Sequence, residues 1–124
     1  MSPSGLHAAR VRIDRDYARP MTISALARTA GGSPAQFIRA FSRAYGVTPG
    51  QCLRARRLAR ARELLTTTGL PVTEVCHQVG YRALGTFSRV FRDATGQSPS
   101  QFRRETRLPA YIPGCFLRMY RVDR

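Results

Sequence analysis

SPAQFIRAFSRAYGVTPGQCLR, residues 33–54, returns fifty residues later as ALGTFSRVFRDATGQSPSQFRR, residues 83–104. Phe37, Arg39, Phe41, Gly46, Pro49, Gln51 and Arg54 recur as Phe87, Arg89, Phe91, Gly96, Pro99, Gln101 and Arg104. Upstream the match continues at an offset of forty-nine, pairing Ile23, Leu26, Ala27 and Ala30 with Val72, Val75, Cys76 and Val79. The one-residue difference falls between the blocks, at Gly31-Gly32 in one copy and Gly80-Tyr81-Arg82 in the other. An internal repeat constrains architecture before any other signal, and two copies are too few for a solenoid. The chain therefore reads as two similar lobes joined by a helix.

Ser33-Pro34-Ala35-Gln36 spells a helix start: a capping hydroxyl, Pro at the first position and Gln at the third. Thr48-Pro49-Gly50-Gln51 and Ser98-Pro99-Ser100-Gln101 repeat it. These starts, with no β-rich stretch before Leu108, predict an all-α fold of about seven helices. Residues 1–5 read as a loose start. Helices are expected over 6–17, closed by Pro20, then from Thr22 to 30, 33–45, 49–67, 72–79, 83–95 and 99–106. Gly31-Gly32 and Gly46 supply the turns. The predicted organisation is one domain over 1–106, with lobe one at 6–47, a linker helix at 48–68 and lobe two at 70–106. The tail, 107–124, is apolar, and Pro109 and Pro113 stop a helix there. It either packs on the last helix or marks a lost extension.

The formal charge is +14, carried by arginine without any lysine. Such an excess on a small chain is the electrostatic footprint of a polyanion's partner, most simply nucleic acid. A high-GC genome accounts for Arg over Lys but not for the net charge. Cys52, Cys76 and Cys115 are odd in number and widely spaced, so no disulfide framework is implied. Cys76-His77 lacks a second pair at zinc spacing, and no metal is expected. No run approaches the ~18–20 apolar residues of a membrane span, so no membrane partner is expected and the setting is expected to be cytoplasmic. No nucleophile–base arrangement is legible: His7 and His77 stand apart and the seven acids are scattered. Neither catalytic residues nor a cofactor are expected, and Asp14, Asp16 and Glu63 read as helix-surface partners for arginine.

A short helix, a tight turn and a longer helix with a polar outer face make a helix-turn-helix unit. At 100° per residue, Phe37, Ala40, Phe41 and Ala44 share one face of helix 33–45, predicted buried. Ala35, Arg39, Ser42 and Arg43 lie opposite, flanked by Gln36 and Ile38. In the second copy Phe87, Val90, Phe91 and Ala94 form the buried stripe. Gly85, Arg89 and Arg92 face away, flanked by Thr86 and Ser88. Small residues near each helix start let the backbone approach a major groove. Arg39 and Arg89 then suit guanine O6 and N7, and Gln or Thr other base edges. Ser33 joins them as candidate DNA contact. Asp93 stands in the place of Arg43 and repels phosphate, so the lobes are expected to grip unequally. Arg54, Arg56, Arg57, Arg60 and Arg62 of helix 49–67 read as solvated or as phosphate contacts.

FIRAFSRAYGVTPGQ, RRLARARELL and VTEVCHQVGYRALGTFSRVFRDATGQSPSQFR together resemble the DNA-binding domain of the AraC/XylS family of bacterial transcription regulators. The resemblance covers about residues 6–106, and its second block, with Gly80-Tyr81, Phe87-Ser88-Arg89, Phe91, Gly96, Pro99 and Phe102, is the most specific part. It implies two helix-turn-helix lobes bridged by a long helix, and control of transcription through promoter or operator DNA, activation included. RNA polymerase is the further partner expected. The chain departs from the family pattern at Cys52, where an aromatic is usual, and at Gly85 and Arg82, where a small polar residue is common. It resembles the family's stand-alone regulators or else is a piece of a longer one. The lobes are unlike, so a monomer inserting both recognition helices into successive major grooves prefers an asymmetric site. The competing reading is a non-specific nucleoid-associated or RNA-binding basic protein.

Overall fold

A computed structural model of the chain describes residues 1–106; residues 107–124, including Cys115 and the apolar tail, lie outside the described residues. Seven helices follow one another among them: α1 (Pro3–Asp16), α2 (Ile23–Ala30), α3 (Pro34–Tyr45), α4 (Pro49–Thr67), α5 (Val72–Gln78), α6 (Leu84–Thr95) and α7 (Pro99–Thr106). No strand occurs among the described residues, and the all-α expectation holds. The chain divides into two compact units within α4, after Arg56.

The helix starts follow the sequence. The Ser33 hydroxyl accepts from the Gln36 amide at 3.2 Å, while the Gln36 side-chain oxygen accepts from the Ser33 amide at 3.0 Å. Thr48 and Gln51 repeat this reciprocal cap on α4, at 3.1 and 3.0 Å. At α7 Ser98 caps the Gln101 amide, but the Gln101 side chain turns to Glu105 instead. Such a cap contributes about 1 kcal/mol. Residues 1–5 differ from expectation. The Ser2 hydroxyl accepts from the Gly5 amide and Pro3 opens α1, so Ser2-Pro3 carries half of the start signal. Gly5 permits close packing, since a β-carbon there would run into the Ala30 carbonyl oxygen. Gly46 and Gly96 end α3 and α6 at φ +78° and +82°, a left-handed conformation that costs glycine little.

In the first unit Leu6, Ala9 and Ile13 of α1, Leu26, Ala27 and Ala30 of α2, and Phe37 and Phe41 of α3 form the core. Cys52 and Leu53, from the first turns of α4, pack against it. In the second unit Leu58, Ala61, Leu64 and Leu65 of α4 join Val75, Cys76, Val79, Phe87, Phe91 and Phe102. Each buried Phe contributes roughly 1.5–3 kcal/mol of burial. The repeat therefore runs further back than residue 23: Leu6, Ala9, Arg10 and Ile13 match Leu58, Ala61, Arg62 and Leu65 at an offset of fifty-two. The N-terminal turns of α4 serve one core and its later turns the other.

The predicted buried stripes are too wide. Ala44 and Ala94 are exposed, and Ala40 and Val90 only partly buried. Periodicity assigns a face, but a neighbour must cover it. In the last turn of α3 the covering group is Tyr45, whose ring lies 4.7 Å from that of Phe41. In α6 the equivalent residue is Thr95, whose hydroxyl donates to the Phe91 carbonyl. There Phe102 supplies the ring, 5.2 Å from Phe91. Cys52 occupies the position of Phe102, so the second Phe of each unit receives its aromatic neighbour from a different place in the repeat.

Candidate nucleic-acid interface

In the first unit α2, the turn at Gly31 and α3 form a helix-turn-helix. Gly31 has φ +94°, and its amide and that of Gly32 donate to the carbonyls that end α2. With Phe37 and Phe41 held in the core, α3 turns its other side outward. Ala35, Gln36, Ile38, Arg39 and Arg43 are exposed, and Ser42 is half-buried. Ser33 is exposed at the cap, its oxygen already accepting from Gln36; the hydroxyl proton remains to donate. The Gln36 carboxamide likewise spends its oxygen on the cap and keeps its NH₂.

In the second unit α5, the turn at Gly80 and α6 repeat the arrangement, with Gly80 at φ +104°. Gly85, Thr86, Arg89 and Arg92 are exposed, and Ser88 is half-buried. Ala83 stands where a capping hydroxyl would, and no side chain caps α6. Asp93 is exposed at the position of Arg43. Residues 1–56 carry nine arginines against two acids, residues 57–106 eight against four. The rest of the second unit, residues 107–124, adds four arginines and one acid, so each unit carries a formal charge of +7.

Among the arginines of α4 only Arg62 is removed from solvent; the others stay at least partly exposed. Arg56 donates to Asp14 at 2.9 Å and its guanidinium lies 4.2 Å from the centre of the Tyr17 ring. Arg57 lies over Tyr81 at 5.4 Å, and Arg60 pairs with Glu63 at 2.9 Å. Arg62 is neither solvated nor free to meet phosphate. It is only 2% exposed, with its guanidinium 5.9 Å from the ring centres of both Phe91 and Phe102. Arg54 remains exposed. The counterpart of Arg62, Arg10, lies over Tyr45 at 4.9 Å. The shared Leu-x-x-Ala-Arg pattern at 6–10 and 58–62 was the available signal for this role. Asp14, Asp16 and Glu63 do pair with arginine, at 2.9, 3.4 and 2.9 Å.

Cys76 is buried and its thiol donates to the Tyr81 carbonyl at 3.7 Å, while His77 is exposed. Burial pushes the Cys76 thiol above its ordinary range. The Cys52 thiol is also raised, mainly by burial, with Arg10 pulling it down and Asp14 adding to the rise. Among the described residues no helix is long and apolar enough to cross a membrane.

Comparison with known proteins gives this geometry its context. The helix-turn-helix domain family matches residues 26–105. The regulatory protein SoxS of Salmonella typhimurium is 35% identical over 91 residues, covering 73% of this chain and 85% of SoxS. The arabinose operon regulatory protein of Escherichia coli is 35% identical over 81 residues, which span 65% of this chain and 28% of that protein. Among solved structures, the C-terminal domain of AraT, a response regulator from Geobacillus stearothermophilus, superposes with a TM-score of 0.81 at 31% identity, covering 90% and 92% of the two chains. The DNA-binding domain of the global transcriptional factor AdpA, solved with a target DNA, gives 0.79 at 28% identity, covering 83% and 93%. These relatives are transcription regulators and their DNA-binding domains rather than enzymes. With its paired helix-turn-helix units, the chain belongs to the AraC/XylS family of transcription regulators, as a DNA-binding domain of that family.

Proposed function

We propose that the chain binds promoter or operator DNA sequence-specifically, with α3 and α6 entering successive major grooves of one duplex. The observation that carries this reading is the recurrence of Arg39 and Arg89, both exposed, on the helix faces turned away from the two phenylalanine cores. Ala35 and Gly85, one turn earlier, keep those faces low enough for close approach. Arg39 and Arg89 pair with guanine O6 and N7, while the Gln36 NH₂ and Thr86 hydroxyl meet other base edges. Ser33, Ser42, Arg43, Ser88 and Arg92 hold the phosphates that set register. That the similar AdpA domain was solved with a target DNA supports duplex DNA as the partner.

The lobes differ, so the site is asymmetric and a monomer suffices to fill it. The protein acts in the cytoplasm at the nucleoid, where RNA polymerase is its protein partner. Selection of bound duplexes from random sequence tests the proposal. Arg39→Ala is expected to cost about 1–3 kcal/mol and relax preference in one part of the selected site, and Arg89→Ala in another. Equal losses on selected and random duplexes would favour a non-specific basic protein.

A further inference from the structure

We infer that Ile38 recognises the 5-methyl group of a thymine, and that this apolar readout belongs to the first lobe alone. The inference rests on the sequence-specific binding proposed above. Ile38 is 37% exposed in the middle of α3. The other exposed large apolar side chains among the described residues, Met1, Val11 and Leu84, lie at the chain start, on α1 and at the first position of α6. Helical geometry puts Ile38 about 80° from the middle of the Phe37–Phe41 stripe, between the core and the outward Arg39. Ala35 precedes it by three residues and Ser42 follows by four, so the three side chains share a strip. Arg39, which meets a guanine, and Arg43, which meets a phosphate, stand beside that strip.

Chemistry selects the base. In the major groove guanine, adenine and cytosine present donors and acceptors, whereas thymine adds an apolar methyl group. A polar base edge pressed against Ile38 loses its water without gaining a hydrogen bond. The thymine methyl loses nothing and is removed from water. Ile is β-branched and holds one χ1 rotamer in a helix, so it meets the methyl with little ordering cost. The second lobe has no such strip: Ala35, Ile38 and Ser42 correspond to Gly85, Ser88 and Arg92.

The test uses the duplex obtained by selection, with thymines replaced one at a time by deoxyuridine, which lacks only the methyl. One replacement, in the part of the site where Arg39→Ala relaxes preference, is expected to weaken binding about fourfold, the worth of one methyl-sized apolar contact. Ile38→Ser, which installs the second lobe's residue at a partly exposed position, is expected to melt as the parent does. It should bind the thymine duplex about fourfold more weakly and show no further loss with deoxyuridine. A full deoxyuridine penalty in Ile38→Ser, or no sensitive thymine in that part of the site, overturns the inference while leaving sequence-specific binding intact. No preference for the selected duplex over random DNA overturns the underlying proposal instead.

Discussion

Arg62→Ala separates a structural arginine from a DNA-contacting one. The side chain is buried against the rings of Phe91 and Phe102. Truncation removes two methylenes, about 1.6 kcal/mol of burial. It also removes guanidinium–ring attraction of about 0.5–2 kcal/mol. Release of the desolvated charge offsets part of this, and the cavity left behind adds to it. The expected net loss is about 2–4 kcal/mol, a large share of the ~5–15 kcal/mol that small domains possess. Urea denaturation read by circular dichroism measures it, with the thermal midpoint falling on the order of 10 °C. DNA affinity, measured in low urea and corrected for the folded fraction, should change little. A variant as stable as the parent, yet with weakened binding at every sequence, would show that Arg62 reaches phosphate and that the burial argument is wrong.

Three further outcomes follow from the surface. Affinity for duplex DNA should fall steeply with salt, by roughly 0.9 in log K per unit log salt for each phosphate neutralised; a flat dependence would exclude duplex DNA as the main partner. Asp93→Arg, which restores the charge found at Arg43, should strengthen binding on all sequences and steepen the salt slope by about 1; unchanged affinity would place residue 93 away from the backbone. Ser33→Ala should lower stability by about 1 kcal/mol through loss of the reciprocal cap, with base preference preserved in the folded protein. Selection of bound sequences by the variant, beside a urea melt, distinguishes that outcome from a base contact by Ser33.

The fold was legible where local chemistry decides it. Hydroxyl-Pro-x-Gln starts at Ser33, Thr48 and Ser98, and glycine stops at Gly46 and Gly96, marked helix ends within a residue. At Ser2-Pro3 the signal is only half there, since the third helical position holds Gly5 instead of Gln. The outward faces of α3 and α6 were legible too, since the Phe37/Phe41 and Phe87/Phe91 pairs fix which side is buried. What sequence patterning could not supply was the partner of each charge. Arg56 meets Asp14 across 42 residues of chain, and Arg62 is enclosed by rings from two other helices. A helical wheel sets Arg56 on a polar arc but Arg62 beside Leu58 and Leu65 on the buried one; only tertiary packing shows which groups they meet. Ala44 and Ala94 failed for the converse reason, being on the apolar arc with nothing laid over them.

The alternate placement of the aromatic ring bears on how the two halves diverge. One half places it at Tyr45 and keeps residue 52 small; the other keeps residue 95 small and places it at Phe102. Passing between these arrangements takes two substitutions, and removing the buried ring of Phe102 without supplying another at residue 95 leaves a void in a close-packed core. Two descendants of one duplicated segment thus become trapped on separate peaks, each tolerant of change on its outer face but not of its sister's interior. Recombination that spliced residues from one half into the other would be purged for its packing, even where its groove-facing residues were acceptable. The reading surfaces can drift while the interiors remain non-interchangeable, and that lets one chain acquire two unlike specificities.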